Sequence, residues 1–377
     1  MPGKHLSGDS GQQCRRCKEN VSVLVVRSEP LCRDCFIKYV HTKVIKRMES
    51  FRVRNTAPDQ QRKILLAVSF GVSSVSLLNI LDHHLQTQKA KTGRTGFSLN
   101  IIFVNTSSVD SSAVPLDLRQ RLQERFSEYH FTSVGLQDVF NDPQRDALHD
   151  IAPGLEVAGD SSPLQQLETL FKSLKTAAGR ADVVSTLRTR LIVQHAKALG
   201  CEGVSWGDST TKLAEKTLSE TAKGRGFSLP WQTADGESPL GITFNYPMRD
   251  VLKKELVNYA EMTDPPLSSL IDYSTLSAPT TVNSKTTTID DLMQHYFESV
   301  EENFPSIVSN VVRTTGKLEA PSTSESQVRC ALCSMPVEDG RFGIHGWGGD
   351  QQDGVAYAPG ESGPLCYGCT RSAPRNP

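Results

Sequence analysis

The sequence predicts an α/β protein that is built on a doubly wound parallel sheet and carries a small four-cysteine module at each end. Short apolar runs alternate with amphipathic helical patterns through the middle of the chain, which is typical of a parallel sheet with helices on both faces. Four C-x-x-C pairs lie outside this region, two near the start and two near the end. A chain of 377 residues that is 37% hydrophobic is large enough for one central core with small modules attached.

The predicted strands and helices follow one another along the central region. Apolar runs predict strands over residues 63–68, 99–104, 131–136 and 203–206. Helical periodicity predicts helices over 75–85, 116–129, 183–199 and 211–222, and one more helix over 289–304. The order of these elements predicts repeated strand–loop–helix units.

Composition divides the chain into segments. We expect a metal knuckle over 1–40, a basic helix over 41–60 and the α/β domain over 61–262, with a Pro- and Gly-containing loop insertion at about 141–165. A Ser-, Thr- and Pro-rich mobile linker is predicted at 263–288, followed by a C-terminal helix at 289–313. A second linker at 314–327 leads to the last cysteine module at 328–377, and no internal repeat is evident beyond the cysteine pairs.

The eight paired cysteines are the predicted metal ligands. Two C-x-x-C turns supply four thiolates for a tetrahedral shell, which suits zinc. Residues 18–31 separate the pairs of the first quartet, and residues 334–365 separate those of the second. Disulfides at each end and redox-active pairs are the alternatives. We expect one zinc ion in each of two quartets, Cys14, Cys17, Cys32 and Cys35, and Cys330, Cys333, Cys366 and Cys369.

Charge and hydropathy indicate a soluble intracellular protein. No apolar run is long enough to cross a bilayer, and residues 1–13 lack the apolar segment of a secretion signal. The formal net charge of -1 gives no global sign of a polyanionic partner. Residues 36–63, however, contain eight Lys or Arg against two acids. This stretch predicts an amphipathic helix whose charged face is either a nucleic-acid contact surface or an ordinary solvated face.

The turn after the first predicted strand is where a doubly wound sheet binds ligands. It has the sequence S-F-G-V-S-S over residues 69–74, and it resembles the S-G-G-x-D-S loop of the PP-loop ATPases, which are adenine nucleotide alpha-hydrolase-like proteins. Ser69, Gly71 and Ser74 match that loop. Phe70 replaces a glycine that lets the backbone approach a phosphate, and Ser73 replaces an acid that can help to hold Mg²⁺.

A second altered motif follows the predicted strand at 203–206. Residues 206–215, W-G-D-S-T-T-K-L-A-E, resemble the G-H-N-x-D-D-x-A-E motif of tRNA-thiolating PP-loop enzymes. Thr211 and Lys212 stand where those enzymes have paired acids, and the lysine reverses the charge where a nucleotide's metal ion is expected. The candidate residues of this degenerate motif are Gly207, Asp208, Thr211, Lys212 and Glu215.

The helix before this motif lacks the sulfur chemistry of those enzymes. They carry a C-x-x-C-G-x-x-R helix whose cysteines serve sulfur transfer or bind an iron–sulfur cluster. Here Ala181 and Val184 occupy the cysteine positions of that motif, and Arg188 aligns with its arginine. Cys201, the one thiol of the central region, is expected to be a small buried hydrophobe. We therefore expect neither ATP nor an iron–sulfur cluster on this chain.

Together with K-G-R-G-F-S-L-P-W at 223–231 and P-M-R-D at 247–250, these features resemble the cytoplasmic tRNA 2-thiolation protein 2 family over nearly the whole chain. The resemblance implies a cytoplasmic, non-catalytic subunit that forms a heterodimer with a catalytic PP-loop thiolase. That partner adenylates the wobble uridine of the tRNAs for lysine, glutamate and glutamine. It takes sulfur from a thiocarboxylated ubiquitin-related modifier, and the product is mcm5s2U.

A supporting role also suggests tRNA contacts, because positive charge persists where the acids were lost. Two alternatives stay open: the chain is itself an ATP-dependent tRNA thiolase, or it is a zinc-bearing protein scaffold without RNA contact. The expected phosphate-contacting bases are Lys43, Lys46, Arg47, Arg52, Arg54, Arg188, Lys212, Lys216, Lys223, Arg225 and Arg249.

Overall fold

The structure is a computed structural model that describes residues 11–57, 61–110, 114–141, 161–273, 287–320, 328–337, 342–343 and 364–373. Most of the predicted insertion, at 142–160, lies outside the described residues, as do residues 274–286 and 321–327 of the two predicted linkers. Within the described ranges, no helix combines the length and the apolar character that a membrane span requires.

A six-stranded sheet forms the centre of the molecule, in the order β5-β4-β3-β6-β8-β7. All neighbours are parallel except β7, which pairs antiparallel with β8 at the edge. The doubly wound prediction is confirmed, with an added antiparallel edge strand. The strands are β1 (Leu24–Val26), β2 (Glu29–Leu31), β3 (Lys63–Ala67), β4 (Ser98–Asn105), β5 (His130–Gly135), β6 (Gly203–Trp206), β7 (Gly236–Ser238) and β8 (Ile242–Asn245).

Helices connect the parallel strands and cover both faces. The predicted helices are present, and most are longer than expected. Their buried faces continue past the residues in which the hydrophobic periodicity is clear. In the described residues they are α1 (Arg33–Arg47), α2 (Val72–Thr92), α3 (Leu116–Arg125), α4 (Pro163–Ser173), α5 (Ala177–Ala198), α6 (Thr210–Ala222), α7 (Leu229–Thr233), α8 (Lys253–Met262), α9 (Ile289–Asn303), α10 (Pro305–Thr315) and α11 (Tyr367–Ser372).

Side chains of the strands alternate between two separate cores. Ile64 and Leu66 of β3 face one core, and Leu65 faces the other. The first core joins α1, α2, α3 and α8 to the first cysteine module. The second joins α4, α5, α6 and the α9–α10 hairpin to the second cysteine module. The two cysteine modules therefore lie on opposite faces of the sheet.

Three predicted segment boundaries differ from the structure. The basic helix begins at Arg33, because Cys32 of the first module takes the N-cap position with an extended backbone. The predicted C-terminal helix is a hairpin of two helices, since Pro305 cannot continue α9 and instead starts α10. Residues 263–273 are packed rather than free: Leu267 and Leu270 are buried, and the Asp272 N–H donates to the Phe70 carbonyl at 2.9 Å.

A polar contact joins the first module to the sheet domain. The Tyr259 hydroxyl on α8 lies 2.8 Å from Nε2 of His41 on α1 and accepts a hydrogen bond from Asn79 of α2 at 2.9 Å. Burial, with smaller contributions from His83 and His84, lowers the pKa of His41 to about 4. The folded protein therefore holds His41 in its neutral form at neutral pH.

Acidification should lower the stability of the fold through His41. The folded pKa of about 4 lies below the ordinary value of 6.5, so this contribution is complete above pH 6.5 and is lost as the pH falls towards 4. We expect the free energy of unfolding in urea to fall between pH 7 and pH 4.5 by on the order of 2 kcal/mol more in the wild type than in His41→Gln. His130→Gln, at an exposed histidine, is the control. Equal pH slopes in the wild type and His41→Gln would contradict the assignment.

Candidate functional site

The two altered motifs meet at the carboxyl edge of the sheet. Ala67 of β3 pairs with Trp206 of β6, so the loops that follow these strands emerge side by side. A Cβ atom built on Gly207 would lie only 2.8 Å from the Cα of Ser74. The loop at 69–74 and the second motif are therefore in direct contact, at the position where this type of sheet binds ligands.

The loop at 69–74 keeps a glycine-like backbone although a phenylalanine occupies the glycine position. Phe70 has a φ of 61°, in the left-handed region, which costs about 1 kcal/mol for a residue with a Cβ atom. Its side chain is fully buried and meets the Phe103 ring edge to face, with centroids 5.1 Å apart. Burial of this ring offsets the backbone strain. The loop is thus anchored in the core while its path is preserved.

Hydroxyl groups hold the rest of the loop together. The Ser74 hydroxyl donates to the Gly71 carbonyl at 3.0 Å and accepts from the Ser69 N–H at 3.2 Å. Ser73, at the position of the lost acid, is half-buried in the first turn of α2. Residues 69–74 contain no carboxylate, so the loop offers a magnesium ion only hydroxyl and carbonyl oxygens.

The C-terminal hairpin ties down the second motif. The Thr211 hydroxyl donates to Oε2 of Glu301 at 2.7 Å and accepts from the Lys253 N–H at 2.9 Å. The other oxygen of Glu301 accepts from the Lys254 N–H at 2.8 Å. Glu301 thus places a carboxylate beside one lost acid, but hydrogen bonds engage both of its oxygens. Its role is to fix α9 against α6.

The remaining charges of the second motif pair with one another. Nζ of Lys212 lies 2.8 Å from the Glu215 carboxylate, and Nζ of Lys216 lies 3.9 Å from that of Asp208. Arg188 of α5 is exposed and interacts electrostatically with Asp208. Three cations therefore surround two carboxylates at this edge, and a positive ammonium group occupies the place where the resembled motif has an acid.

The structure buries Arg225 and Arg249 and pairs the half-buried Lys223 with carboxylates, so these three expected RNA-contacting bases are engaged within the protein. Arg225 is buried and forms a bidentate ion pair with Asp182, which Lys223 also contacts at 3.2 Å. Although burial opposes ionisation, Arg225 holds the pKa of Asp182 well below its usual range, so the pair stays charged. Arg249 is also buried, and its guanidinium lies 3.4 Å from the Val312 carbonyl. Guanidinium groups engaged inside the protein cannot reach a phosphate.

The predicted phosphate-contacting bases of α1 lie nearer to solvent. Lys46 is exposed and forms no ion pair with another described residue, whereas Arg47 pairs with Asp250 at 2.6 Å. Lys43 donates to the Asp250 carbonyl at 2.8 Å, and burial lowers the pKa of Lys43 to about 8. The end of α1 thus reaches the loop after β8, near the carboxyl edge of the sheet.

Two further predicted bases follow α1 in short 3₁₀ turns, Glu49–Phe51 and Val53–Asn55. Arg52 and Arg54 share the carboxylate of Glu49, at 3.3 and 2.7 Å. Both pairs are solvent-exposed, so an incoming phosphate competes with only a weak ion pair.

Both cysteine quartets close within this one chain, and each could hold a metal ion. In each quartet the four Sγ atoms lie within 4.8 Å of one another. The Sγ atoms of Cys17 and Cys32 are 3.8 Å apart, and those of Cys333 and Cys366 are 4.0 Å apart. Metal–sulfur bonds of about 2.3 Å in a tetrahedron separate the sulfurs by about 3.8 Å, so the geometry fits one ion. A disulfide needs about 2.05 Å, so neither quartet forms disulfides.

The two centres share one local design. The residues after the first C-x-x-C pairs, Lys18 and Ser334, both adopt left-handed backbones, with φ of 61° and 58°. Cys32 and Cys366 take the N-cap positions of α1 and α11. Although burial acts to raise it, backbone hydrogen bonds lower the pKa of Cys14 to about 6. Burial likewise acts to raise the pKa of Cys330, but hydrogen bonds from the neighbouring cysteines lower it, so one thiol of each quartet ionises readily.

The sequence carried little signal for three residues that the structure places at these sites. Glu301 could have been noticed, because it lies four residues after Phe297 on the buried side of α9. The sequence around Asp182 and Arg190 of α5 carries no such signal. These two residues acquire their roles only from the second cysteine module, whose residues lie far away in the sequence.

Comparisons with known proteins agree on one family. A family model described as cytoplasmic tRNA 2-thiolation protein 2 matches residues 288–343. A protein of that name from Phaeosphaeria nodorum is 58% identical over 380 residues, covering 100% of this chain and 98% of that protein. Another from Pyrenophora tritici-repentis is 55% identical over 378 residues, with the same coverage of 100% and 98%.

A solved structure shares the fold. It is the U34-tRNA thiolase NcsA from Methanococcus maripaludis with its 4Fe-4S cluster. The TM-score is 0.58 at 16% identity, and the likeness covers 86% of this chain and 92% of that one. At this identity the likeness establishes a common architecture.

The contact between the two motifs should be intolerant of a single methyl group. Gly207→Ala places a Cβ atom 2.8 Å from the Ser74 backbone, so the loops must separate. We expect a loss of about 1–3 kcal/mol in the free energy of unfolding, measured in urea. Gly71→Ala is the matched control, because its φ of -72° suits alanine and the nearest atom to its Cβ lies at 3.5 Å. Equal stability of the two variants would contradict the contact.

Proposed function

The chain belongs to the cytoplasmic tRNA 2-thiolation protein 2 family, and we propose that it is the non-catalytic subunit of the cytoplasmic complex that thiolates wobble uridine. Its partner in this proposal is a catalytic PP-loop thiolase, with which it forms a heterodimer. The substrates are the tRNAs for lysine, glutamate and glutamine, which acquire mcm5s2U. Sulfur comes from a thiocarboxylated ubiquitin-related modifier.

The state of the site at the carboxyl edge supports the non-catalytic role. Phe70 occupies the position of a phosphate-facing glycine, and its ring is buried in the core. Thr211 is committed to Glu301, and Lys212 presents a cation where a metal ion would need an acid. Ala181 and Val184 replace the sulfur-bearing positions. Nucleotide activation and sulfur transfer thus each lack the groups that carry them.

Each four-cysteine centre is proposed to hold one zinc ion. Four thiolates leave no open position, which is typical of a structural rather than a catalytic zinc site. An iron–sulfur cluster is the other cofactor that four thiolates bind. In a four-iron cluster each thiolate binds a different iron atom, which spreads the sulfurs farther apart than the limit of 4.8 Å found here. The spacing therefore favours a single ion.

Direct contact with tRNA is proposed for the bases that remain accessible. Lys46 and Arg188 are exposed, and neither has a carboxylate within salt-bridge distance among the described residues. Lys212 and Lys216 lie beside Arg188 at the sheet edge, in pairs that phosphates can compete for. Phosphate contacts of this kind position an RNA without reading its sequence.

The outer face of the α9–α10 hairpin is the proposed docking surface for the catalytic subunit. Leu292, Tyr296, Phe304 and Ile307 are 45–60% exposed on it. Residues 288–312 contain no Lys or Arg, and four acids besides the buried Glu301 give the hairpin a negative charge that repels a phosphate backbone. An apolar patch with acidic neighbours suits a protein whose complementary groove is bordered by basic residues.

The purified chain alone is expected not to bind ATP. Isothermal titration with ATP and Mg²⁺ should show no saturable heat, because residues 69–74 supply no carboxylate for the metal. The chain alone should also leave tRNA unthiolated, and the catalytic subunit should restore the reaction. Micromolar, Mg²⁺-dependent ATP binding or thiolation by the chain alone would instead establish the catalytic alternative.

Charge reversal at the accessible bases should weaken tRNA binding by the complex. For Lys46→Glu and Arg188→Glu we expect lower affinity and a slope against log salt that is smaller by about 1 per lost phosphate contact. The measurement is equilibrium binding at several salt concentrations. Lys91→Glu is the control, because this exposed lysine lies near the far end of α2, about 28 Å from the loop at 69–74. Unchanged affinity and slope in both variants would favour the scaffold without RNA contact.

Phe304→Asp should weaken binding of the catalytic subunit at least about tenfold, since it places a charge in a buried apolar contact. Titration calorimetry with the purified partner measures this effect. Leu116→Asp on α3, at a residue of equal exposure, 61% against 60%, is the control. Full affinity in Phe304→Asp would refute the docking surface but not the heterodimer. Failure of the wild type to bind would refute the heterodimer.

A further inference from the structure

A buried charged network attaches the second cysteine centre to α5 and α6. Arg225 is 3% exposed, and its Nη1 donates to Oδ2 of Asp182 at 2.8 Å. Its Nε donates to the Glu220 carboxylate at 2.7 Å, and its Nη1 also lies 4.0 Å from Sγ of Cys369. Ser372, at the end of α11, donates to the same oxygen of Asp182 at 2.6 Å. One guanidinium thus links two helices to a cysteine ligand.

The second cysteine module packs against this network so closely that Gly368 has no space for a side chain. A Cβ atom on Gly368 would lie 2.7 Å from Cγ of Arg225 and 2.7 Å from the Lys223 carbonyl oxygen. Nζ of Lys223 contacts the Asp182 carboxylate at 3.2 Å and that of Asp290, in α9, at 2.6 Å. The network therefore connects the cysteine module with three helices of the same face.

A second arginine approaches the centre from another direction. Nη1 of Arg190 on α5 donates to the carbonyl oxygens of Ala331 and Leu332, at 2.7 and 3.1 Å. These two residues lie between Cys330 and Cys333, so their carbonyls belong to the metal-binding knuckle itself. The first centre differs from the second. Within the described residues, one side chain outside the first quartet donates to a thiol of that quartet, and it is the amide of Asn20.

The charge of the metal links these contacts to metal binding. Four thiolates around a divalent ion carry a net negative charge, and N–H groups that point towards the sulfurs stabilise it. An ion bound to all four sulfurs fixes the positions of Cys330 and Cys333, and with them the carbonyls of Ala331 and Leu332 that accept from Arg190. The empty centre lacks this restraint, so the arginines hold the loaded centre more firmly than the empty one. Metal binding and docking of the module must then strengthen each other.

We propose that the second cysteine centre is a metal-dependent clasp, in which Arg225 and Arg190 hold the loaded centre against α5 and so join α5, α6 and α9 into one unit. Arg225 and Arg190 are positioning residues for the metal, and the K-G-R-G segment serves this attachment instead of RNA contact. The clasp depends on the proposed metal occupancy of the centre. It does not depend on the proposed roles of tRNA or of the catalytic subunit.

Metal release from the zinc-loaded full chain tests the clasp. With a chelator and an alkylating reagent present, peptide-resolved mass spectrometry gives the alkylation rate of each cysteine. For Arg190→Met and Arg225→Met we expect the second quartet to react about tenfold faster or more, while the first quartet keeps its rate. Arg180→Met is the control, since this exposed arginine of α5 donates to the Leu174 carbonyl. Wild-type rates for the second quartet in both variants would overturn the proposal.

Two further measurements separate the possible causes. Arg225→Met also removes the arginine partner of two buried carboxylates, Asp182 and Glu220, so Arg190→Met, which keeps that network, gives the milder test. Hydrogen exchange of residues 177–198 should become faster when the second centre is emptied in the wild type, and unchanged exchange would also overturn the clasp. Elemental analysis tests the premise: two zinc ions per chain agree with it, whereas the absence of metal would remove the metal occupancy and the clasp together.

Discussion

The parallel pairing of β3 with β6 is the constraint on which the rest of the structure depends. It places Ala67 opposite Trp206, so the loops after the two strands emerge together and Gly207 packs on Ser74. The same pairing creates the two faces of the sheet, because successive side chains of β3 enter different cores. The shape of the altered site and the separation of the two cysteine modules therefore have a common origin.

The site has the architecture of the resembled motifs without their carboxylates at positions 73, 211 and 212, and the packing explains how. Phe70 retains the left-handed backbone because its ring is held in the core against Phe103. Thr211 needs no acid, because Glu301 of the C-terminal hairpin supplies its hydrogen-bond partner. Residues that shape the loops are buried and shared with the core, so the path of the loops does not depend on those carboxylates of the resembled motifs.

The two faces of the sheet present different surfaces. On one face, α1 follows the first cysteine centre and carries exposed bases such as Lys46. On the other, the hairpin of α9 and α10 is acidic and exposes Tyr296 and Phe304. The hairpin repels a phosphate backbone, whereas Lys46 on the first face and Arg188, Lys212 and Lys216 at the carboxyl edge of the sheet attract it. This division supports a subunit that contacts RNA and a protein partner in different places.

The sequence by itself determined the features that depend on local spacing, among them the strand at Gly203–Trp206, the two cysteine quartets and the altered motifs. It did not determine what each base does. Arg225 follows a glycine in a polar stretch and had the pattern of a surface residue, yet Asp182 lies 43 positions away and Cys369 lies 144 away. Only the tertiary structure brings these groups together. Burial and ion pairing depend on neighbours in space, and local sequence patterns do not record those neighbours.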